Sequence, residues 1–128
     1  MQAVLLAFKE KFPERRIVTV FQPHRYSRTL LCWEQFTDCF TNADRLFICD
    51  VYAAGEAPLE NINSERLVTE VRLKHPGGSV AVEHLPNSLD RVARLRTELR
   101  SGDVLVTLGA GDVYKLGQQV LETAGEKG

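Results

Sequence analysis

Three side chains able to hold an anion, His24, Arg25 and Arg28, fall within five residues of one another in Pro23-His24-Arg25-Tyr26-Ser27-Arg28-Thr29. A guanidinium offers paired N–H donors in a planar fork that matches a carboxylate or a phosphate, and an imidazole can add another donor. A lone arginine here would read as an ordinary solvated cation. A cluster lying between a hydrophobic run and an amphipathic one points instead to an anion held in place.

Two further stretches could join it. Gly109-Ala110-Gly111-Asp112 precedes an apolar periodic segment, so its backbone N–H groups would stand at the positive end of a helix, where phosphates and carboxylates bind. A lone G-x-G describes a tight turn packing helix on sheet equally well. Asp50 ends a hydrophobic run and is followed by Val51-Tyr52-Ala53-Ala54-Gly55-Glu56-Ala57-Pro58. Asp50 and Glu56 could accept from an ammonium group or bridge to the arginines. An ordinary loop explains them equally well.

Other chemistries are excluded or disfavoured. Position 114 is Tyr114, which breaks the G-x-G-x-x-G dinucleotide pattern, and too little chain follows for its ribose-binding acid. No G-x-x-x-x-G-K-[ST] triphosphate loop occurs, no Ser/His/Asp or Cys/His set is persuasive, and no Cys/His spacing suggests zinc. Cys32 and Cys39 lie two turns apart on one expected helix, about 10 Å of rise and too far for a disulfide. They read as core filling. His75 and His84 read as solvated turn residues, and Arg91, Arg94, Arg96 and Arg100 as a solvated helix face. With 16 basic and 17 acidic residues, the net charge of −1 gives no field for nucleic acid or an anionic membrane. No apolar stretch approaches the roughly 20 residues of a membrane span, and Met1–Phe8 is too short for a signal peptide, so a cytoplasmic protein is expected.

The 128 residues suit one domain. Periodicity alternates helix with strand. Helices are expected from Ala3 to Glu10, from Thr29 to about Thr41, after a cap at Asn63 or Ser64, and from a cap at Ser88 to a stop at Gly102. A fifth helix after Gly109–Asp112 should bury Val113, Leu116, Val120 and Leu121. Strands are expected at Arg16–Phe21, Arg45–Cys49, Ser79–Val82 and Asp103–Leu108, with a frayed tail over 124–128. This is an α/β, Rossmann-like pattern, a mainly parallel sheet of at least four strands with helices on both faces. In the doubly wound order 3-2-1-4, the first and fourth strands flank the switch point where ligands bind. The turns at His24–Arg28 and Gly109–Asp112 would then share one crevice, with the Asp50 loop beside them.

The runs Phe21-Gln22-Pro23-His24-Arg25-Tyr26-Ser27-Arg28-Thr29, Asp50-Val51-Tyr52-Ala53-Ala54-Gly55-Glu56 and Leu108-Gly109-Ala110-Gly111-Asp112, in that order, resemble the carboxy-terminal domain of the Mur ligase family. The likeness extends from about Phe12 to Leu121 and is to the members that add L-alanine to UDP-N-acetylmuramate. It implies a cytoplasmic peptidoglycan ligase of three domains. In such an enzyme the substrate carboxylate is activated as an acyl phosphate by ATP with Mg2+, and the amine of the amino acid then attacks it. The resemblance places His24, Arg25 and Arg28 in the L-alanine site, with Asp50, Tyr52, Glu56, Gly109, Gly111 and Asp112 as possible lining. It also implies that catalytic and metal-binding residues, and the grip on ATP, belong to amino-terminal and central domains not present in this sequence. The chain alone is then expected to fold, to carry no cofactor and to be inactive. The rival expectations are a self-contained Rossmann-like module for a nucleotide or phosphometabolite and a structural or regulatory partner domain.

Overall fold

The computed structural model describes residues 1–109 and 111–127. Ala110, in the glycine-rich turn, and Gly128, at the end of the expected frayed tail, lie outside them. Strands form where β-branched and aromatic residues run together: β1 (Ile17–Gln22), β2 (Arg45–Cys49), β3 (Ala81–Leu85) and β4 (Val104–Gly109). Between and around them run α1 (Gln2–Lys11), α2 (Tyr26–Leu31), α3 (Trp33–Asp38), α4 (Ser64–Lys74), α5 (Arg91–Glu98) and α6 (Val113–Lys127). All strand pairings are parallel, in the order β3-β2-β1-β4, as the alternation predicts.

Because successive strand residues point to opposite faces, β1 and β2 feed two cores at once. Ile17, Phe21, Leu46 and Ile48 join Leu5, Phe36, Phe40, Leu67 and Val71 on the α1, α3 and α4 side. Val18, Val20, Phe47 and Cys49 join Leu95, Val113, Leu116 and Val120 on the α5 and α6 side. The two central strands are therefore buried on both faces, which is why they read as nearly continuous hydrophobic runs, broken in β1 only by Thr19 and the closing Gln22.

Several expectations are corrected. The second helix begins earlier, at Tyr26, and breaks at Cys32 (φ −100°, ψ 13°) into α2 and α3. β3 runs to Leu85 because two polar residues that read as leaving the strand find partners: Glu83 bonds Arg45 and Arg94, and His84 bonds Asp50. His84 is thus not a solvated turn residue, and His75 is buried. Asp90, not Ser88, caps α5 by accepting from Ala93 N at 3.1 Å, and the helix ends at Glu98, before Gly102. Leu121 is 61% exposed, since α6 turns only the Val113, Leu116 and Val120 stripe inward.

Arg94 is not part of a solvated face either. Arg16 grips Asp103 (3.2 and 2.6 Å) and Glu98 (2.9 Å), Arg45 bonds Glu98 (3.1 Å) and Glu83 (2.7 Å), and Arg94 forks onto Glu83 (2.8 and 2.7 Å). This network ties the starts of β1, β2 and β4 to the end of α5.

Candidate functional site

Past the end of β1 the chain stays attached to the sheet. His24 and Tyr52 form one more parallel rung, with Tyr52 N donating to Pro23 O at 2.8 Å and Arg25 N donating to Tyr52 O at 2.7 Å. The His24 and Tyr52 rings stack at 5.7 Å and 15°. The turn is thus held by the loop that follows β2.

Arg25 has φ 63° and ψ 145°, a conformation glycine adopts readily and other residues rarely. It is fixed from both sides. Its N–H is bound to Tyr52, and its carbonyl accepts from Thr29 N (3.1 Å) and Thr29 Oγ1 (2.7 Å), with Thr29 fully buried. Strain of this kind clusters at functional sites.

Glu56 supports the same turn. Ala53–Glu56 closes with Glu56 N donating to Ala53 O at 3.0 Å, and both central residues, Ala54 and Gly55, have positive φ. The Glu56 carboxylate then accepts from Ser27 N at 3.0 Å and from Ser27 Oγ. These bonds, the Ser27 hydroxyl first, hold the Glu56 carboxyl below its ordinary value, with the Arg25 charge adding to the effect.

Two hollows flank the turn. One, of about 420 Å3, is lined by His24, Arg25, Ser27, Arg28 and Leu31. The other, of about 380 Å3, brings His24 and Arg28 together with Phe21, Gln22, Phe36 and Gly109. Among the described residues neither Arg25 nor Arg28 is in an ion pair, whereas Arg16, Arg45 and Arg94 are committed to carboxylates. The two guanidinium groups at the turn are therefore free to receive an external anion.

The glycine-rich turn meets the same place for a steric reason. A Cβ on Gly109 (φ 119°) would stand 2.2 Å from Gln22 O, and one on Gly111 (φ 82°) would meet the Tyr52 ring at 3.2 Å and Gln22 Oε1 at 3.3 Å. Asp112 starts α6, its carbonyl accepting from Lys115 N and Leu116 N. Asp50 sits apart. Its carboxylate is bound to His84 Nε2 (2.6 Å) and Asn87 N (2.8 Å), toward β3, and lines neither hollow. Gln22, Ser27 and Thr29 have parts in the site that residue type did not single out. The one available signal was a polar residue, Gln22, closing a wholly buried strand.

A parallel sheet in this order, with a cationic turn at the β1/β4 switch point, defines a Rossmann-like α/β domain. The chain belongs to the family described as "Mur ligase, glutamate ligase domain", whose family model matches residues 1–111. It is 45% identical to a Bdellovibrio bacteriovorus protein over 121 residues, 94% of this chain and 25% of that one. It is 42% identical to one from Geobacter sulfurreducens (94% and 26%) and 38% identical to one from Desulfotalea psychrophila (99% and 27%). All three are named UDP-N-acetylmuramate–L-alanine ligase. The chain spans about a quarter of the length of these relatives.

Proposed function

We propose that this chain is the amino-acid-receiving domain of an ATP-dependent, cytoplasmic ligase that joins L-alanine to UDP-N-acetylmuramate in peptidoglycan synthesis. The observation that carries the reading is the pair of uncommitted guanidinium groups, Arg25 and Arg28, beside His24 at the switch point. Arginine holds a carboxylate through two parallel bonds, which fixes direction as well as position. With the carboxylate held, the amine is aimed, and an oriented amine reacts as one half of an intramolecular pair. The His24 ring, stacked on Tyr52, forms one wall of the site.

ATP with magnesium supplies the activation of the sugar carboxylate in such a ligase. The residues present do not fit that group: the sequence has no triphosphate loop, and the described residues hold no cluster of three His, Cys, Asp or Glu suited to a metal ion. We assign ATP, magnesium and UDP-N-acetylmuramate to further domains of a longer protein, and this chain alone is not expected to ligate.

Titration of the labelled chain with L-alanine, followed at the arginine guanidinium signals by NMR, tests the reading. Arg25 and Arg28 are expected to shift together, and Arg28→Ala to weaken binding by about tenfold or more, since a hydrogen bond to a charged group is lost. Saturable binding of a dinucleotide at Gly109–Asp112, with no response to alanine, would overturn it.

A further inference from the structure

Gln22 is 5% exposed, and its Oε1 has no hydrogen-bond partner. Buried carbonyl oxygens are nearly always paired, so an orphan calls for an explanation. This one closes β1 and lines the hollow that also holds His24 and Arg28. The glycine turn is built around it, as Gly109 clears its backbone carbonyl and Gly111 clears its carboxamide.

We infer that the Gln22 carboxamide binds the α-amino group of the incoming amino acid, its oxygen accepting from an amine N–H. The inference rests on the amino-acid reading of the turn and extends it to the other end of the ligand. An amino acid presents an acceptor-only carboxylate and a donor-only ammonium a few bonds apart. The hollow supplies Arg28 for the first, and Gln22 is the neutral acceptor on its wall for the second. A half-turn about the last side-chain bond exchanges the two ends of the amide, bringing the oxygen to the hollow. The amino end then takes the place beside Gly111 that the oxygen held. An uncharged acceptor also suits a nucleophile, because a carboxylate there would favour the protonated, unreactive ammonium.

The test compares L-alanine with propionate, which keeps the carboxylate and lacks the amine, on the labelled chain. Both should move the Arg28 guanidinium signals, and L-alanine alone should move the Gln22 carboxamide signals. Gln22→Met should weaken L-alanine by about tenfold and leave propionate unchanged, as removal of one bond to a charged donor predicts. Gln22→Glu, which keeps an acceptor oxygen, should retain L-alanine and weaken propionate. It also serves if the methionine variant fails to fold. A Gln22 amide equally sensitive to both ligands, or a Gln22→Glu chain that loses L-alanine while remaining folded, would overturn the assignment. If neither ligand moves the arginine signals, the amino-acid reading itself falls and takes this one with it.

Discussion

Thr19 is a hydroxyl set in an apolar layer. It is fully buried between Ile17 and Phe21 on one face of β1, and its Oγ1 has no partner. Removing an orphaned polar group recovers its desolvation penalty, so Thr19→Val should stabilise the chain by about 1 kcal/mol, read as a higher urea midpoint at unchanged slope. Arg25 is the opposite case, a residue kept despite its backbone. Its φ of 63° with ψ of 145° carries strain on the order of 1–3 kcal/mol, which alanine retains and glycine relieves. Glycine's extra unfolded-state entropy takes back roughly 0.5–1 kcal/mol. Arg25→Gly is therefore expected to be more stable than Arg25→Ala by about 1 kcal/mol in chemical unfolding. Equal stability of the two would show that the backbone there is relaxed.

Among the elements, the end of β4 is closely packed against the end of β1. A methyl at Gly109 would stand 2.2 Å from the Gln22 carbonyl oxygen, a backbone atom that cannot swing away, and φ 119° strains any side chain. Gly109→Ala should lose several kcal/mol, on the scale of overpacking and backbone strain together, and melt well below the parent in calorimetry. The same elements show what could be read from residue order. β1 and β2 are legible because both faces are buried, leaving nearly continuous apolar runs, and the parallel order follows from the alternation. β3 reads two residues early in the sequence because Glu83 and His84 look like loop residues until Arg45, Arg94 and Asp50 are seen to face them. The site divides in the same way. The cationic cluster His24, Arg25 and Arg28 is visible in residue type alone. The Tyr52 rung and the Glu56 brace on Ser27, 29 residues away, exist only once two loops meet. The orphan oxygen of Gln22 is likewise a property of packing.

Taken whole, the molecule is fastened by charge at one end of its sheet and carries at the other Arg25 and Arg28, which join no ion pair among the described residues. Glu83, Glu98 and Asp103 all titrate below their ordinary values. For Glu83 the Arg94 bonds dominate over burial; for Glu98 and Asp103 burial pushes upward and is outweighed by the arginine bonds, Arg16 foremost. Folded-state values below unfolded ones near 4 mean that this stability is present above about pH 4 and is lost as pH falls through the lowered values. Urea unfolding between pH 7 and 3 should show that loss. Glu98→Gln should lower stability by about 1–2 kcal/mol at pH 7, since Arg16 and Arg45 keep only a neutral acceptor, and should flatten the acid limb. An unchanged acid limb would mean that the network is ornamental. The left-handed arginine at position 25 bears on how such a domain would evolve if its ligand no longer mattered. A library selected for heat tolerance alone should return glycine there repeatedly, enriching lineages that survive warming at the expense of the carboxylate grip proposed for Arg25.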